Sequence, residues 1–121
     1  MQKGKFYEDK AANYLKLKGY SILKRNFRSP FGEIDIIATD EGYICFIEVK
    51  ARNYNYLVSG KEAIDFRKIE KIKKTALFYA SGNLDRLFRF DVLEIIQGKD
   101  FREYNLIKGA FDCSVEADSR G

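Results

Sequence analysis

The chain has 121 residues, two cysteines, no histidine and a formal net charge of +4. This length fits one domain with a single core, and a hydrophobic content of 45% argues against disorder. The lack of histidine excludes imidazole catalysis, His-ligated zinc and the Ser-His-Asp and Cys-His nucleophilic mechanisms. Cys45 falls in a predicted strand and Cys113 in a polar tail, so neither a disulfide framework nor a metal-binding spacing is expected.

The mild positive charge permits a nucleic-acid partner without demonstrating one. No apolar run approaches the ~18 residues that span a bilayer, and the N-terminus opens a helix rather than a secretory signal. We therefore expect a cytoplasmic protein with no membrane contact. Residues 1–111 are predicted to form one domain, and residues 112–121, which lack periodicity, are predicted to fray.

The first predicted element is an amphipathic helix over about residues 3–18, with Gly19 as its stop. Glu8 lies within about 60° of Ala11 and Leu15 by the 3.6-residue period, so we expect its side chain to lean toward the buried side. The alternative is an exposed glutamate in the first turn, favoured by the helix dipole. A strand over residues 20–28 and a turn over residues 29–32 follow.

A β-hairpin is predicted next, with arms over residues 32–38 and 43–50 and an Asp40-Glu41-Gly42 bend. Both arms are apolar at odd and even positions alike, which predicts a sheet covered on both faces. Asp35, Glu48 and Lys50 therefore lie in or at the rim of a buried layer. An ionised group there costs several kcal/mol unless something compensates it.

A bend centred on Glu41-Gly42 sets a register that pairs Asp35 with Glu48 and Glu33 with Lys50, although a three-residue loop with a Gly bulge would shift it by one. Like charges directly opposite each other are destabilising unless a cation lies between them, and a divalent metal is the obvious candidate. The acid-x-Lys triplet also occurs in the first helix, so the triplet alone carries no weight. A surface salt bridge is the alternative interpretation.

A polar, aromatic connection over residues 53–60 leads to a second helix over about residues 61–81. The tyrosines of this connection could stack on unpaired bases or simply cap the end of the sheet. The predicted buried stripe of the helix is Ile69, Ile72, Ala76 and Tyr79. A basic ridge on another side is formed by Arg67, Lys68, Lys71 and Lys74. This ridge is either a solvated face or a contact for a phosphate backbone.

Strands are predicted over residues 86–96 and through Leu106-Ile107. The unit from the second hairpin arm through the helix to the next strand is a β-α-β crossover, which makes those two strands parallel and the connection right-handed. The element order is helix, three strands, helix, strand, strand. We therefore predict an α/β fold with a sheet of mixed direction covered by helices.

Asp35, followed on the next strand by Glu48-x-Lys50, resembles the signature of the PD-(D/E)XK nuclease superfamily, which has the restriction-endonuclease-like fold. A wider set of motifs covers nearly the whole chain and resembles the bacterial YraN-like family. These motifs are Gly4-x-x-x-Glu8, Gly19-Tyr20, Arg25-Asn26, Gly32-Glu33-Ile34-Asp35, Phe46-Ile47-Glu48-Val49-Lys50-Ala51-Arg52, Arg89-Phe90-Asp91-Val92 and Ala110-Phe111. That family is similar to archaeal Holliday-junction resolvases in placing a Glu on its first helix ahead of the Asp and Glu-x-Lys strands.

The resemblance implies a metal-dependent endonuclease that acts on DNA in preference to RNA, with structured or branched DNA as one option. Asp35 and Glu48 would ligate Mg²⁺ or Mn²⁺, with Glu8 bound to the ion directly or through water and the Val49 carbonyl as a neutral ligand. Lys50 would orient water and stabilise the phosphate oxygens, because two nearby carboxylates favour its protonated form.

The residues assigned to nucleic-acid binding are Arg52, Arg67, Lys68, Lys71 and Lys74. The alternative function is a non-catalytic nucleic-acid-binding module on a degenerate nuclease fold. A homodimer is left open, since junction-cleaving relatives work as dimers but nothing in the sequence marks a dimer face.

Overall fold

The structure is a computed structural model and describes residues 2–55, 66–81 and 85–111. Its helices and strands are α1 (Gln2–Leu17), β1 (Ser21–Ser29), β2 (Gly32–Asp40), β3 (Tyr43–Asn53), α2 (Phe66–Tyr79), β4 (Leu87–Gln97) and β5 (Arg102–Phe111). The predicted start of the second helix, its Gly82-Asn83 stop, most of the connection after Asn53, the tail and Cys113 lie outside the described residues.

The five strands form one sheet in the order β1-β2-β3-β4-β5. Strands β1, β2 and β3 are antiparallel neighbours, β4 is parallel to β3, and β5 returns antiparallel to β4. The predicted α/β fold with a mixed sheet and the predicted element order are confirmed. In the part of the chain that the structure describes, no helix is both long and apolar enough to cross a membrane.

Each face of the sheet has its own apolar core, which explains why the hairpin arms are apolar at odd and even positions. On one face α1 buries Ala11 and Leu15 with Ile36 and Ile47. On the other face α2 packs Ile72, Ala76 and their neighbours against Ile37, Phe46 and Phe90. The predicted stripe of α2 is confirmed: Ile72 and Ala76 are buried, and Ile69 and Tyr79 are half-buried.

Thr75 joins the α2 stripe although no pattern predicted it. It is fully buried, and its hydroxyl oxygen lies 3.0 Å from the Ser29 hydroxyl oxygen. One turn earlier, Lys71 passes so close to Gly32 that a Cβ atom on Gly32 would lie 3.3 Å from the Lys71 Cβ. Helix α2 therefore runs in contact with the turn between β1 and β2.

The hairpin register is confirmed from Asp40–Tyr43 to Ile36–Ile47. The predicted pairs Asp35–Glu48 and Glu33–Lys50 do not belong to the ladder, and that part of the prediction was wrong. The two strands separate beyond Ile36–Ile47, and Glu33 instead lies across from Arg28 on β1, with an ion-pair distance of 3.4 Å. This separation opens the sheet at the point where the acidic residues lie.

A buried polar network closes the opposite end of the sheet. Arg89 donates hydrogen bonds to both carboxylate oxygens of Asp91, at 2.9 Å each, and to Asp40 at 2.8 Å. The Tyr20 hydroxyl donates to Asp91 at 2.9 Å, and Lys108 donates to Asp40 at 3.0 Å. Since Asp91 is fully buried and Asp40 nearly so, Arg89 is the main compensation for two buried carboxylates.

Candidate functional site

Asp35 lies where β2 and β3 separate. Its Oδ2 atom accepts a hydrogen bond of 2.8 Å from the Val49 N–H, which the hairpin ladder no longer uses. Burial raises the pKa of Asp35 to about 6, the Val49 N–H opposes this rise, and the nearby Glu48 adds to it. Asp35 is therefore a carboxylate whose charged form is poorly compensated, which is common at functional sites.

Glu48 is buried two residues before Lys50 on β3, so both side chains point to the α2 face of the sheet. The Lys68 ammonium group reaches from α2 and forms an ion pair with the Glu48 Oε2 atom. Sequence reasoning placed Lys68 on a ridge for phosphates, whereas the structure puts it against a candidate metal ligand. In the structure Lys68 thus compensates the Glu48 charge.

Glu8 shares a groove of about 740 Å³ with Asp35 and Val49, on the α1 side of the sheet. Its side chain is 16% exposed and leans inward as predicted. Its Oε1 atom accepts hydrogen bonds of 3.1 Å from both Arg25 and Asn26, so β1 holds Glu8 in place. The sequence assigned no role to either partner. In the structure Asn26 has a positive φ of 54°, which is unusual for a residue other than glycine.

A smaller crevice of about 70 Å³ lies on the α2 side, between Asp35, Glu48 and Lys68. Its apolar walls include Ile34, Phe46, Ile72 and Phe111. The volume suits an ion with a few waters, because a cavity needs roughly 10–15 Å³ to hold one water. Asp35 lines both this crevice and the α1 groove, so it connects the two sides of the sheet.

Mg²⁺ suits this donor set. Within residues 2–55, 66–81 and 85–111, no group of three or more His, Cys, Asp or Glu side chains is arranged to hold a metal. Mg²⁺, however, commonly binds through one or two carboxylates and keeps several waters. Asp35 and Glu48, with the Val49 carbonyl, are donors of that kind, and the raised pKa of Asp35 shows that its negative charge lacks a full counterpart.

The basic ridge is exposed along its length. Lys68 lies at the acidic pair and Lys71 at Gly32, so the ridge follows the hairpin away from the site. Arg52 forms an ion pair of 3.2 Å with Glu94 on the neighbouring strand. The structure therefore brings Lys68 and Lys71 to the site and its border, and places Arg52 on the sheet beside Glu94.

Together these features define an α/β protein with a mixed five-stranded sheet. The sheet carries the acidic pair Asp35 and Glu48, and the nearby Lys50, where β2 and β3 separate.

The chain belongs to the uncharacterised protein family UPF0102, whose family model matches residues 7–95. It is 52% identical over 96 residues to a UPF0102 protein of Sulfurihydrogenibium sp. (strain YO3AOP1), covering 78% of this chain and 84% of that protein. It is 46% identical to one from Persephonella marina over 112 residues, 91% of this chain and 93% of that protein. A Clostridium botulinum (strain 657 / Type Ba4) relative is 51% identical over 114 residues, covering 89% of this chain and 92% of the relative.

Proposed function

We propose that this protein is a metal-dependent nuclease of the restriction-endonuclease-like superfamily that hydrolyses phosphodiester bonds of DNA in the cytoplasm. The observation that carries the proposal is the position of Asp35. Its carboxylate is bound to the Val49 N–H, its pKa is raised to about 6 by burial, and Glu48 lies beside it. A buried carboxylate whose charge is costly, beside a second acid at the opening of two strands, suits a cation site.

In this proposal Asp35, Glu48 and the Val49 carbonyl hold Mg²⁺ or Mn²⁺. The ion would supply a hydroxide by acidifying bound water and would neutralise charge on the scissile phosphate. Lys50, on the same face as Glu48, orients the attacking water and stabilises the phosphate oxygens that gain charge. Since Arg25 and Asn26 already hold the Glu8 carboxylate, we assign Glu8 to contact with the ion through water.

A second candidate is a nucleic-acid-binding module without catalysis. The observation that favours it is the Lys68–Glu48 ion pair, which compensates one of the two acids without any metal. The raised pKa of Asp35 favours the nuclease, because the lysine does not remove the cost of that carboxylate.

The deciding experiment incubates the pure protein with single-stranded, duplex, flap and four-way-junction DNA, and with RNA versions of each, in Mg²⁺, Mn²⁺ or EDTA. We expect cleavage of at least one DNA substrate with either ion and none in EDTA. Binding without cleavage under every condition would support the non-catalytic module. Cleavage that persists in EDTA would show that the metal site is wrong.

The basic ridge predicts a strong salt dependence of DNA binding. If Lys71 and Lys74 contact phosphates, each alanine variant should reduce the steepness of the slope of log K against log[salt] by about 0.9 on duplex DNA. The measurement is a series of titrations at increasing salt in EDTA. Lys16→Ala, at an exposed position at the end of α1, serves as the control for a general change in charge. Unchanged slopes in a Lys71→Ala/Lys74→Ala variant would make the ridge a solvated face.

Asp35→Asn should make the metal-free protein more stable near neutral pH. The pKa of Asp35 is about 6 in the fold and near 3.8 in the unfolded chain. The folded state therefore binds the proton more tightly, and its stability falls as the pH rises from about 4 to about 6. Asparagine does not ionise and avoids this penalty, which is at most about 3 kcal/mol. Thermal melts in EDTA should show the gain at about pH 7 and little difference at about pH 4.

The same melts with Mg²⁺ test whether Asp35 binds the ion. At ten times its dissociation constant, a ligand of the folded state adds about 1.4 kcal/mol, which is a few degrees in melting temperature. We expect this shift in the wild type and in Glu103→Gln, which changes an exposed acid on β5, but not in Asp35→Asn. An Asp35→Asn variant that is less stable without metal and keeps the full shift would make Asp35 a structural residue.

A further inference from the structure

Two half-exposed phenylalanines form a small aromatic surface at the end of α2 that is far from the acidic pair. Phe31, in the turn between β1 and β2, is 46% exposed, and Phe78, in the last turn of α2, is 49% exposed. Their ring centroids lie 6.4 Å apart with an interplanar angle of 68°. Phe27 lies beneath them with its ring 6.3 Å from Phe78, and Tyr79 packs against Phe27 at 5.1 Å. The two outer rings are thus supported from below and keep ring surface open to solvent.

Helix α2 connects this aromatic pair directly to the acidic residues. Lys68, Lys71, Thr75 and Phe78 recur at helical spacing along one side of α2. Each contacts the hairpin or the turn between β1 and β2: Lys68 at Glu48, Lys71 at Gly32, Thr75 at Ser29 and Phe78 at Phe31. The ten steps from Lys68 to Phe78 correspond to about 15 Å along the helix.

The charge around the aromatic pair indicates what could bind there. Helix α2 carries five basic residues against one acidic residue, Glu70. The exposed Lys71 and Lys74 precede Phe78 by two turns and one turn, so they lie on the side of α2 that leads back to the site. A partner that fits must combine negative charge with flat apolar faces. Unpaired nucleotides have both, whereas the bases within a duplex are already stacked.

We propose that Phe31 and Phe78 stack against unpaired bases, so that the protein favours DNA with a single-stranded segment next to the cut bond. This inference rests on the proposed nucleic-acid function and specifies its substrate class. Lys71 and Lys74 hold the intervening phosphates. About 15 Å corresponds to at most four or five nucleotides, because each spans about 3.4 Å in a duplex strand and more when the strand is unstacked. The segment therefore begins within about five nucleotides of the acidic pair.

The test compares binding of a blunt duplex with binding of the same duplex carrying a six-nucleotide overhang, both in EDTA. The variants are Phe31→Leu, Phe78→Leu and the double variant, which keep apolar bulk but lose the ring faces. Each single variant should lose about fivefold or more in affinity for the overhang substrate and less than twofold for the blunt duplex. Phe→Tyr at either position should restore binding. Leu87→Ala, an exposed apolar position at the start of β4, is the control.

A second readout separates stacking from charge. The leucine variants should leave the slope of log K against log[salt] unchanged, because they remove no phosphate contact. Wild-type affinities that are equal for blunt and overhang DNA, or leucine variants that bind the overhang as tightly as wild type, would overturn the stacking surface. Metal-dependent cleavage of the same substrates by the wild type is scored separately. If the wild type cleaves DNA but the leucine variants bind the overhang as wild type does, the stacking surface is refuted and the nuclease proposal stands. If the leucine variants selectively lose overhang binding but no protein cleaves, the stacking surface is supported on a non-catalytic module.

Discussion

Asp35→Asn and Lys50→Ala should each reduce metal-dependent DNA cleavage by two to three orders of magnitude or more, while DNA affinity in EDTA stays within a few-fold of wild type. Removing a single preorganised group that stabilises transition-state charge costs about 10²–10³ in rate. Asp35 also supplies one of two proposed protein carboxylates for the ion, so its loss affects both ion binding and chemistry. The expected effect is therefore at least as large for Asp35 as for Lys50.

The measurement is single-turnover cleavage of the best substrate from the panel, with the ion concentration varied. Glu103→Gln is the control, because Glu103 is an exposed acid on β5 that lines neither cavity at the acidic pair. We expect Glu103→Gln to cleave within a few-fold of wild type. If Asp35→Asn and Lys50→Ala both keep wild-type rates, the chemistry lies elsewhere in the molecule.

The hairpin shows how far local sequence determines this fold. A bend with Gly42 between two apolar arms predicted the register correctly as far as Ile36–Ile47. It failed one residue later, because β2 also pairs with β1, and this pairing continues to the Ser29–Gly32 turn after the β2–β3 ladder has ended. Asp35 then finds the Val49 N–H instead of a cross-strand partner. Turn chemistry determines register near a bend, whereas the splitting of strands depends on the whole sheet.

The Lys68–Glu48 contact illustrates a second limit. Helical periodicity predicted that Lys68 would be exposed, and its side chain is 57% exposed. Periodicity cannot show which strand end an exposed side chain reaches, since this depends on how the connection places α2 on the sheet. The same holds for Glu8, whose inward lean was predicted but whose partners Arg25 and Asn26 come from another element.

Arg89 and Asp91 show a third case, in which the sequence marks residues without explaining them. Both interrupt an otherwise apolar strand, but their partners Tyr20 and Asp40 lie 71 and 49 positions away in sequence. Burial alone would raise the pKa of Asp40, yet hydrogen bonds from Arg89 and Lys108 outweigh it and hold the pKa below its usual range. A charged residue in a buried strand thus predicts a partner without identifying it.

Arg89→Ala should be among the most destabilising single substitutions in the chain, at about 3–5 kcal/mol. It removes both Arg89 hydrogen bonds from Asp91, which is fully buried and keeps the Tyr20 hydroxyl and the Gly109 N–H as donors, and it removes one of the two cations that pair with Asp40. Breaking a buried ion pair from one side has a cost of this size because the remaining charge is uncompensated. In a protein of this length the melting temperature should fall by roughly 10–20 °C.

Thermal and urea unfolding of Arg89→Ala, Arg89→Lys and Arg28→Ala provides the measurement. Arg89→Lys keeps the charge but loses the forked contact with Asp91, so it should recover only part of the loss. Arg28→Ala removes an exposed partner of Glu33 and should cost less than about 1 kcal/mol. The pKa of Asp40 is lowered in the fold, so its ion pairs stabilise the protein fully at a pH above the usual carboxyl pKa. This stabilisation is lost as the pH falls through the lowered pKa and Asp40 takes up a proton. The difference in unfolding free energy between wild type and Arg89→Ala should therefore become smaller in acid. Equal, small losses for Arg89→Ala and Arg28→Ala at neutral pH would show that the network does not hold this end of the sheet together.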